Sequence, residues 1–169
     1  MNKDVFTNFP KPHLVPKTDR VRVLYIDDEP SNLISFKANF RQKCEVTTTD
    51  NPKRAIDLVG QLDIQVVISD QRMPGMTGIQ FFNQLKSCQP DPTRILLTGY
   101  SDLEAVVDAI NLGEIYRYVT KPWDYGELLK IIDEAYKLFW LKQEKQALQD
   151  CLITTNDQLE FMVRQKLLS

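Results

Sequence analysis

The chain has 169 residues, 43% hydrophobic and 26% charged, enough for one ordinary globular domain and an extension. With 21 Lys and Arg against 23 Asp and Glu, the formal net charge of −2 gives no basic excess of the kind that binds nucleic acid. Apolar runs stop at about six residues, far short of the ~20 that span a bilayer, and no apolar core follows Met1-Asn2-Lys3-Asp4 as in a secretory signal; the expected location is the cytoplasm.

Residues 1–20 read as a flexible arm, because Pro10, Pro12 and Pro16 exclude regular helix and strand ladders. The arm carries His13, the only histidine, so no Ser-His-Asp or Cys-His system can be built on a rigid strand. The apolar run Val21-Arg22-Val23-Leu24-Tyr25-Ile26 then ends in Asp27-Asp28-Glu29-Pro30, and a helix is predicted over 31–41. A second helix is predicted over 52–61, opened by Asp50 or Asn51 before Pro52. Val66-Val67-Ile68-Ser69 delivers Asp70 to the turn Gln-Arg-Met-Pro-Gly-Met-Thr-Gly, ahead of a helix over 77–87. Arg94-Ile95-Leu96-Leu97 ends in Thr98-Gly99. A helix over 102–112, opened by Ser101 or Asp102, then sets Leu103, Val106, Val107 and Ile110 on one face. Ile115-Tyr116-Arg117-Tyr118-Val119 ends in Thr120-Lys121-Pro122, and Asp124 precedes the last helix. Runs that are apolar on both faces belong inside a parallel sheet covered by helices. Five β-α units predict an α/β domain over 21–138, a doubly wound five-stranded parallel sheet.

The end of the chain differs. Beyond Gly126 there is neither Gly nor Pro through Gln149, and Leu128, Ile131, Ile132, Ala135, Leu138 and Phe139 fall at helical spacing. The pattern continues through Leu141, Leu148 and Leu152, and resumes at Leu159, Met162 and Val163 after Ile153-Thr154-Thr155-Asn156, a stretch of poor helix material. A heptad-like seam runs through Leu141, Lys145, Leu148, Leu152, Thr155, Leu159 and Met162, with Lys145 and Thr155 out of character. Residues 139–169 are thus a helical extension, a coiled coil or a linker to an output domain. It either pairs with a second copy or folds back on its own domain. Cys44, Cys88 and Cys151 are too scattered for a metal motif and read as ordinary thiols.

Four strand ends therefore bring Asp27, Asp28, Asp70, Thr98 and Lys121 to one edge of one sheet, where open α/β folds place their chemistry. Three converging carboxylates repel, so either they bind a cation or one stays protonated; a hard divalent ion such as Mg2+ fits best, since it prefers oxygen ligands and keeps positions open for a phosphoryl oxygen. Lys121 can neutralise Asp70 or hold a second phosphoryl oxygen, and the Thr98 hydroxyl a third. A carboxylate nucleophile backed by a cation and an ammonium is equipment for forming an acyl phosphate. Each acidic group taken alone is also explained by helix capping or turn formation; the ordered set is not.

On these motifs residues 21–138 resemble the receiver domain of two-component response regulators. The motifs are Asp27-Asp28, Asp70, Met73-Pro74-Gly75-Met76-Thr77-Gly78, Thr98-Gly99 and Lys121-Pro122. The resemblance implies a flavodoxin-like receiver fold and a cis Lys121-Pro122 bond. It implies that Asp70 accepts a phosphoryl group from a histidine kinase or phosphotransfer protein. Asp28, Asp70 and the backbone carbonyl of Arg72 would bind Mg2+, with Asp27 acting through the metal's waters. Thr98 and Lys121 would contact the phosphoryl group, and Tyr118 would be the aromatic that turns inward when the threonine moves. Arg72 and Tyr100 stand where the lifetime of the phosphorylated form is set. The alternatives are a phosphorylation-independent scaffold or dimerisation module, and an aspartyl-phosphate hydrolase. The hydrolase is disfavoured by Arg72, where its second aspartate would stand. The expected partners are the kinase, a second copy through the last helix and extension, and a downstream output domain, with no nucleic acid and no membrane. The runs around Thr98 and Lys121 resemble receivers that precede signalling enzymes with cyclic-nucleotide or phosphatase outputs.

Overall fold

The computed structural model describes residues 20–88, 91–99, 103–112 and 114–167. The proline-containing arm, His13 and the Tyr100-Ser101-Asp102 segment lie outside them. In chain order the elements are β1 (Val21–Ile26), α1 (Pro30–Phe40), β2 (Cys44–Thr49), α2 (Pro52–Gln61), β3 (Val66–Asp70), β4 (Arg72–Met73), β5 (Met76–Thr77), α3 (Gly78–Gln84) with a 3-10 turn at Leu85–Ser87, β6 (Thr93–Thr98), α4 (Leu103–Asn111), β7 (Arg117–Thr120) and α5 (Tyr125–Leu167). Five strands form one parallel sheet in the order β2-β1-β3-β6-β7, while β4 and β5 make a separate two-residue antiparallel hairpin. The chain reverses direction across the sheet between β1 and β3, the point at which doubly wound folds open a crevice.

Every residue of β3 and β6 is buried, as strands covered on both faces require. Alternation sends neighbouring residues to opposite faces. Leu24, Ile26, Val67 and Leu96 join Ala55, Val59, Phe81, Phe82 and Val106 in one core cluster, while Tyr25 stacks on Phe36 of α1. Local signals set the helix starts. The Asn51 side chain accepts from the N–H groups of Lys53 and Arg54 ahead of Pro52, Thr77 and Gln80 form a capping box on α3, and Asp124 accepts the N–H of Glu127 at the start of α5.

Of the five strands expected, the edge strand β2 is the one that no apolar run marks, and the β4–β5 hairpin is not among them. β2 is Cys-Glu-Val-Thr-Thr-Thr, with Glu45 exposed and Thr47 and Thr48 half-buried; an edge strand covered on few sides looks polar in one dimension. α5 is continuous to Leu167 through the poor helix material at 153–156. The Thr154 and Thr155 hydroxyls each donate, at 2.9 Å, to the carbonyls of Asp150 and Cys151 one turn back. Their polar atoms are thereby satisfied inside the helix rather than competing with it. Contacts divide the described residues into a domain ending at Phe139 and the helical residues from Trp140 onward. Along the latter Leu141, Leu148, Leu152, Leu159 and Met162 are all exposed. Among the described residues no helix is long and apolar enough to cross a membrane.

Candidate functional site

The register aligns the strand ends: Ile26 pairs with Ser69, Asp70 with Leu97, and Thr98 with Thr120. Lys121, one residue past β7, reaches back over this edge. Its ammonium lies 2.6 Å from Asp70 Oδ1 and 3.2 Å from Asp27 Oδ2, bridging two buried carboxylates. The Lys121-Pro122 bond is cis. The backbone N–H of Lys121 donates to the Thr98 carbonyl at 2.8 Å, which ties the end of β7 to the end of β6. Thr98 is fully buried, and its hydroxyl donates to the Gly99 carbonyl at 3.1 Å.

Asp27 is held from several sides. Oδ2 accepts from the Tyr25 hydroxyl at 2.5 Å, from Lys121 and from Asn32 Nδ2 at 3.0 Å; Oδ1 accepts the Glu29 N–H at 2.9 Å and Asn32 Nδ2 at 3.1 Å. Burial pushes its carboxyl up, but the Tyr25, Glu29 and Asn32 donors and the Lys121 charge outweigh it and hold the group below the usual carboxylate range. Asp70 goes the other way: burial raises its carboxyl, and Lys121 and the Arg72 N–H, 2.9 Å from Oδ2, offset this only in part. Burial works against the Lys121 charge, yet the two carboxylates win and its ammonium is held above the ordinary lysine value. Burial first, then the hydrogen bond to Asp27, drives the Tyr25 phenol far up, so Tyr25 is a permanent donor.

The three carboxylates expected to converge do so only as a pair. Asp27 and Asp70 meet around Lys121, whereas Asp28 is exposed, and among the described residues no group of three or more His, Cys, Asp or Glu is close enough to hold a metal. The single ammonium offsets one of the two buried negative charges, while Asp28 stays in solvent. Arg72 is exposed and Tyr118 half-buried against the core.

Four positions that sequence reasoning passed over support the site. Tyr25 is two residues before Asp27 and hence on the same side of the strand, a signal that alternation offers. Asn32 reaches Asp27 from the first turn of α1. Gln71 accepts the Gly78 N–H at its carbonyl and the Ile79 N–H at its side chain, fastening β3 to α3. Gly78 itself has no room for a side chain: a Cβ there would lie 2.5 Å from the Asp70 carbonyl oxygen and 2.6 Å from Leu96 Cδ1. The chemistry assembled is a desolvated carboxylate on a rigid strand end, an ammonium in contact with it, a neighbouring hydroxyl and further acidic oxygens.

Comparison with known proteins gives concordant matches. Residues 23–133 match the family model of the response regulator receiver domain. The chain is 32% identical over 122 residues to the hydrogenase transcriptional regulatory protein HoxA of Bradyrhizobium diazoefficiens, covering 72% of this chain and 25% of that one. It thus spans about a quarter of the length of that relative. Among solved structures, adenylate cyclase from Rhodopirellula baltica superposes with a TM-score of 0.73 at 30% identity, over 78% of this chain and 98% of that one. The signal receiver domain of an HD domain-containing protein from Pseudomonas fluorescens Pf-5 gives 0.69 at 31% identity, over 78% and 98%.

Proposed function

The chain belongs to the response regulator receiver domain family, and from that premise we propose that it accepts a phosphoryl group on Asp70 and signals through the change this makes at its sheet edge. The observation that carries the reading is the Lys121 ammonium set between Asp70 and Asp27. An Asp70 oxygen attacks the phosphorus of a phosphohistidine on a kinase or phosphotransfer partner; the new O–P bond forms as the donor N–P bond breaks and the imidazole keeps its electron pair. Lys121 moves from the carboxylate it neutralises to a phosphoryl oxygen, and the Thr98 hydroxyl turns from the Gly99 carbonyl to another.

Receiver domains are generally Mg2+-dependent, and the donors here are the hard oxygens such an ion prefers. Asp28, Asp70 and the Arg72 carbonyl would hold it, with Asp27 acting through its waters. Bound there, the ion supplies charge neutralisation for the transferred group. What this asks of the protein is that Asp28 turn in and that Lys121 give up one of its two carboxylates.

Thr98 and Tyr118 would carry the change to the face formed by α4, β7 and α5. Leu141, Leu148, Leu152, Leu159 and Met162, exposed at heptad-like spacing, favour a second copy of the chain as partner of the extension. The solved neighbours named for an adenylate cyclase and an HD domain protein are consistent with a signalling enzyme as output, while HoxA is a transcriptional regulator. The test is acetyl phosphate or beryllofluoride with Mg2+: wild type should saturate with one group per chain and Asp70→Asn should take up none. Equal uptake by the variant moves the site elsewhere, and no uptake by wild type favours a phosphorylation-independent scaffold.

A further inference from the structure

The donors that hold Asp27 differ in how firmly they are themselves held. Lys121 is a long, partly exposed side chain shared with Asp70. Asn32 divides its amide among both oxygens of Asp27 and Glu29 Oε2 at 3.3 Å. Tyr25 alone comes from inside the sheet. It is 1% exposed, its ring stacks on Phe36 with centroids 4.3 Å apart and 27° between planes, and Phe36 is in turn packed on Phe40 at 4.5 Å and edge-on to Trp123 at 6.1 Å. Burial and ring packing of this kind restrain the phenol. Asp27 accepts from Tyr25, the Glu29 N–H, Asn32 and Lys121. Of these the Tyr25 contact, at 2.5 Å, is the shortest.

We propose that Tyr25 is a positioning residue for cation binding at this site: its hydroxyl, fixed by the aromatic core, holds the Asp27 carboxylate in the orientation that faces Lys121 and Asp70. Tyr25 touches neither cation nor phosphoryl group and acts only through Asp27. The inference rests on the phosphoacceptor reading above for the use of the site, but not for the geometry. A carboxylate oriented before the cation arrives need not be ordered at the moment of binding, which is where preorganisation yields affinity. The competing view makes Tyr25 a core ring whose O–H has simply found an acceptor. Tyr25→Phe separates the two, since it keeps the ring and the stack and removes only the donor.

The experiment is calorimetric titration of the full chain with Mg2+, wild type against Tyr25→Phe, alongside the rate of phosphoryl uptake from acetyl phosphate as a function of Mg2+. The dissociation constant for Mg2+ should rise about tenfold, the scale of one charge-assisted hydrogen bond. The limiting uptake rate at saturating Mg2+ should stay within about twofold of wild type, because the group lost serves binding rather than transfer. A Mg2+ affinity that is unchanged or tighter overturns the proposal, whatever happens to the melting temperature. If Tyr25→Phe does not fold, Phe36→Leu decides: it keeps the hydroxyl but loosens its grip, and should weaken Mg2+ about threefold; no change overturns the proposal. A wild type that binds Mg2+ yet takes up no phosphoryl group refutes the phosphoacceptor reading and leaves the affinity comparison intact. A wild type that binds no Mg2+ overturns both.

Discussion

Asp70 combines a buried carboxylate with a proposed role that needs it ionised, and burial raises its carboxyl above the ordinary aspartate range. Its folded carboxyl sits above the unfolded value because burial outweighs Lys121 and the Arg72 N–H. The folded state therefore holds the proton more readily, and the ionised form subtracts stability at every pH above the folded value. Asp70→Asn removes that cost. In metal-free buffer the variant should be more stable than wild type at neutral pH by on the order of 1 kcal/mol. The gain should fade as pH drops through the folded value and vanish below about 3.8, where the carboxyl is protonated in both states. Lys121 does not enter this window, since its folded value is raised and its contribution is lost only in alkali. Thermal melts from pH 3 to 8 check the sign; a variant less stable than wild type at neutral pH contradicts it. Gly78 gives a second residue-scale expectation. The atom that an added Cβ would strike is backbone, the Asp70 carbonyl, so the strand end must move. Gly78→Ala should cost about 1–3 kcal/mol in denaturant melts and slow phosphoryl uptake as well. Wild-type stability would show that the approach of α3 to β3 is looser than it looks.

At the scale of elements, what was legible followed from burial. β1, β3 and β6 are apolar runs because helices cover both faces, and each ends in a residue of the site, so Asp27, Asp70 and Thr98 could be found from where the runs stop. α2 was bounded to the residue because Asn51 and Pro52 are a cap and a first-turn proline. β2 escaped because an edge strand is allowed to be polar. Spacing says which residues stand at an edge, not how each side chain is solvated there: Asp27 and Asp70 are buried against Lys121, while Asp28 is exposed. Propensity counts Thr154 and Thr155 as weak helix formers, and the helix holds through them because each hydroxyl finds its acceptor one turn back. Tyr25 was readable in principle from its spacing to Asp27, but its stacking on Phe36 is a tertiary contact between β1 and α1 that strand alternation does not carry.

For the whole molecule, the question is what the extension does with its apolar side chains. Leu148 and Leu152, 50% and 59% exposed, lie on the seam expected to meet a second copy. Replacing both with Glu in the full chain should turn a dimer into a monomer in sedimentation at tens of micromolar, about the range in which a modest coiled coil is populated. It should leave phosphoryl uptake at Asp70 intact. A wild type that is already monomeric, with and without beryllofluoride, would remove pairing from the account and leave the fold-back arrangement. Beneath this stands the claim on which everything else depends, that Asp70 is the acceptor. The most direct measurement is to treat the chain with acetyl phosphate and Mg2+, reduce the product with borohydride, and find by peptide mass spectrometry which aspartate has become homoserine. Homoserine is expected at position 70 and nowhere else; conversion at Asp27 or Asp28, or at no residue, would show that Asp70 is not the acceptor.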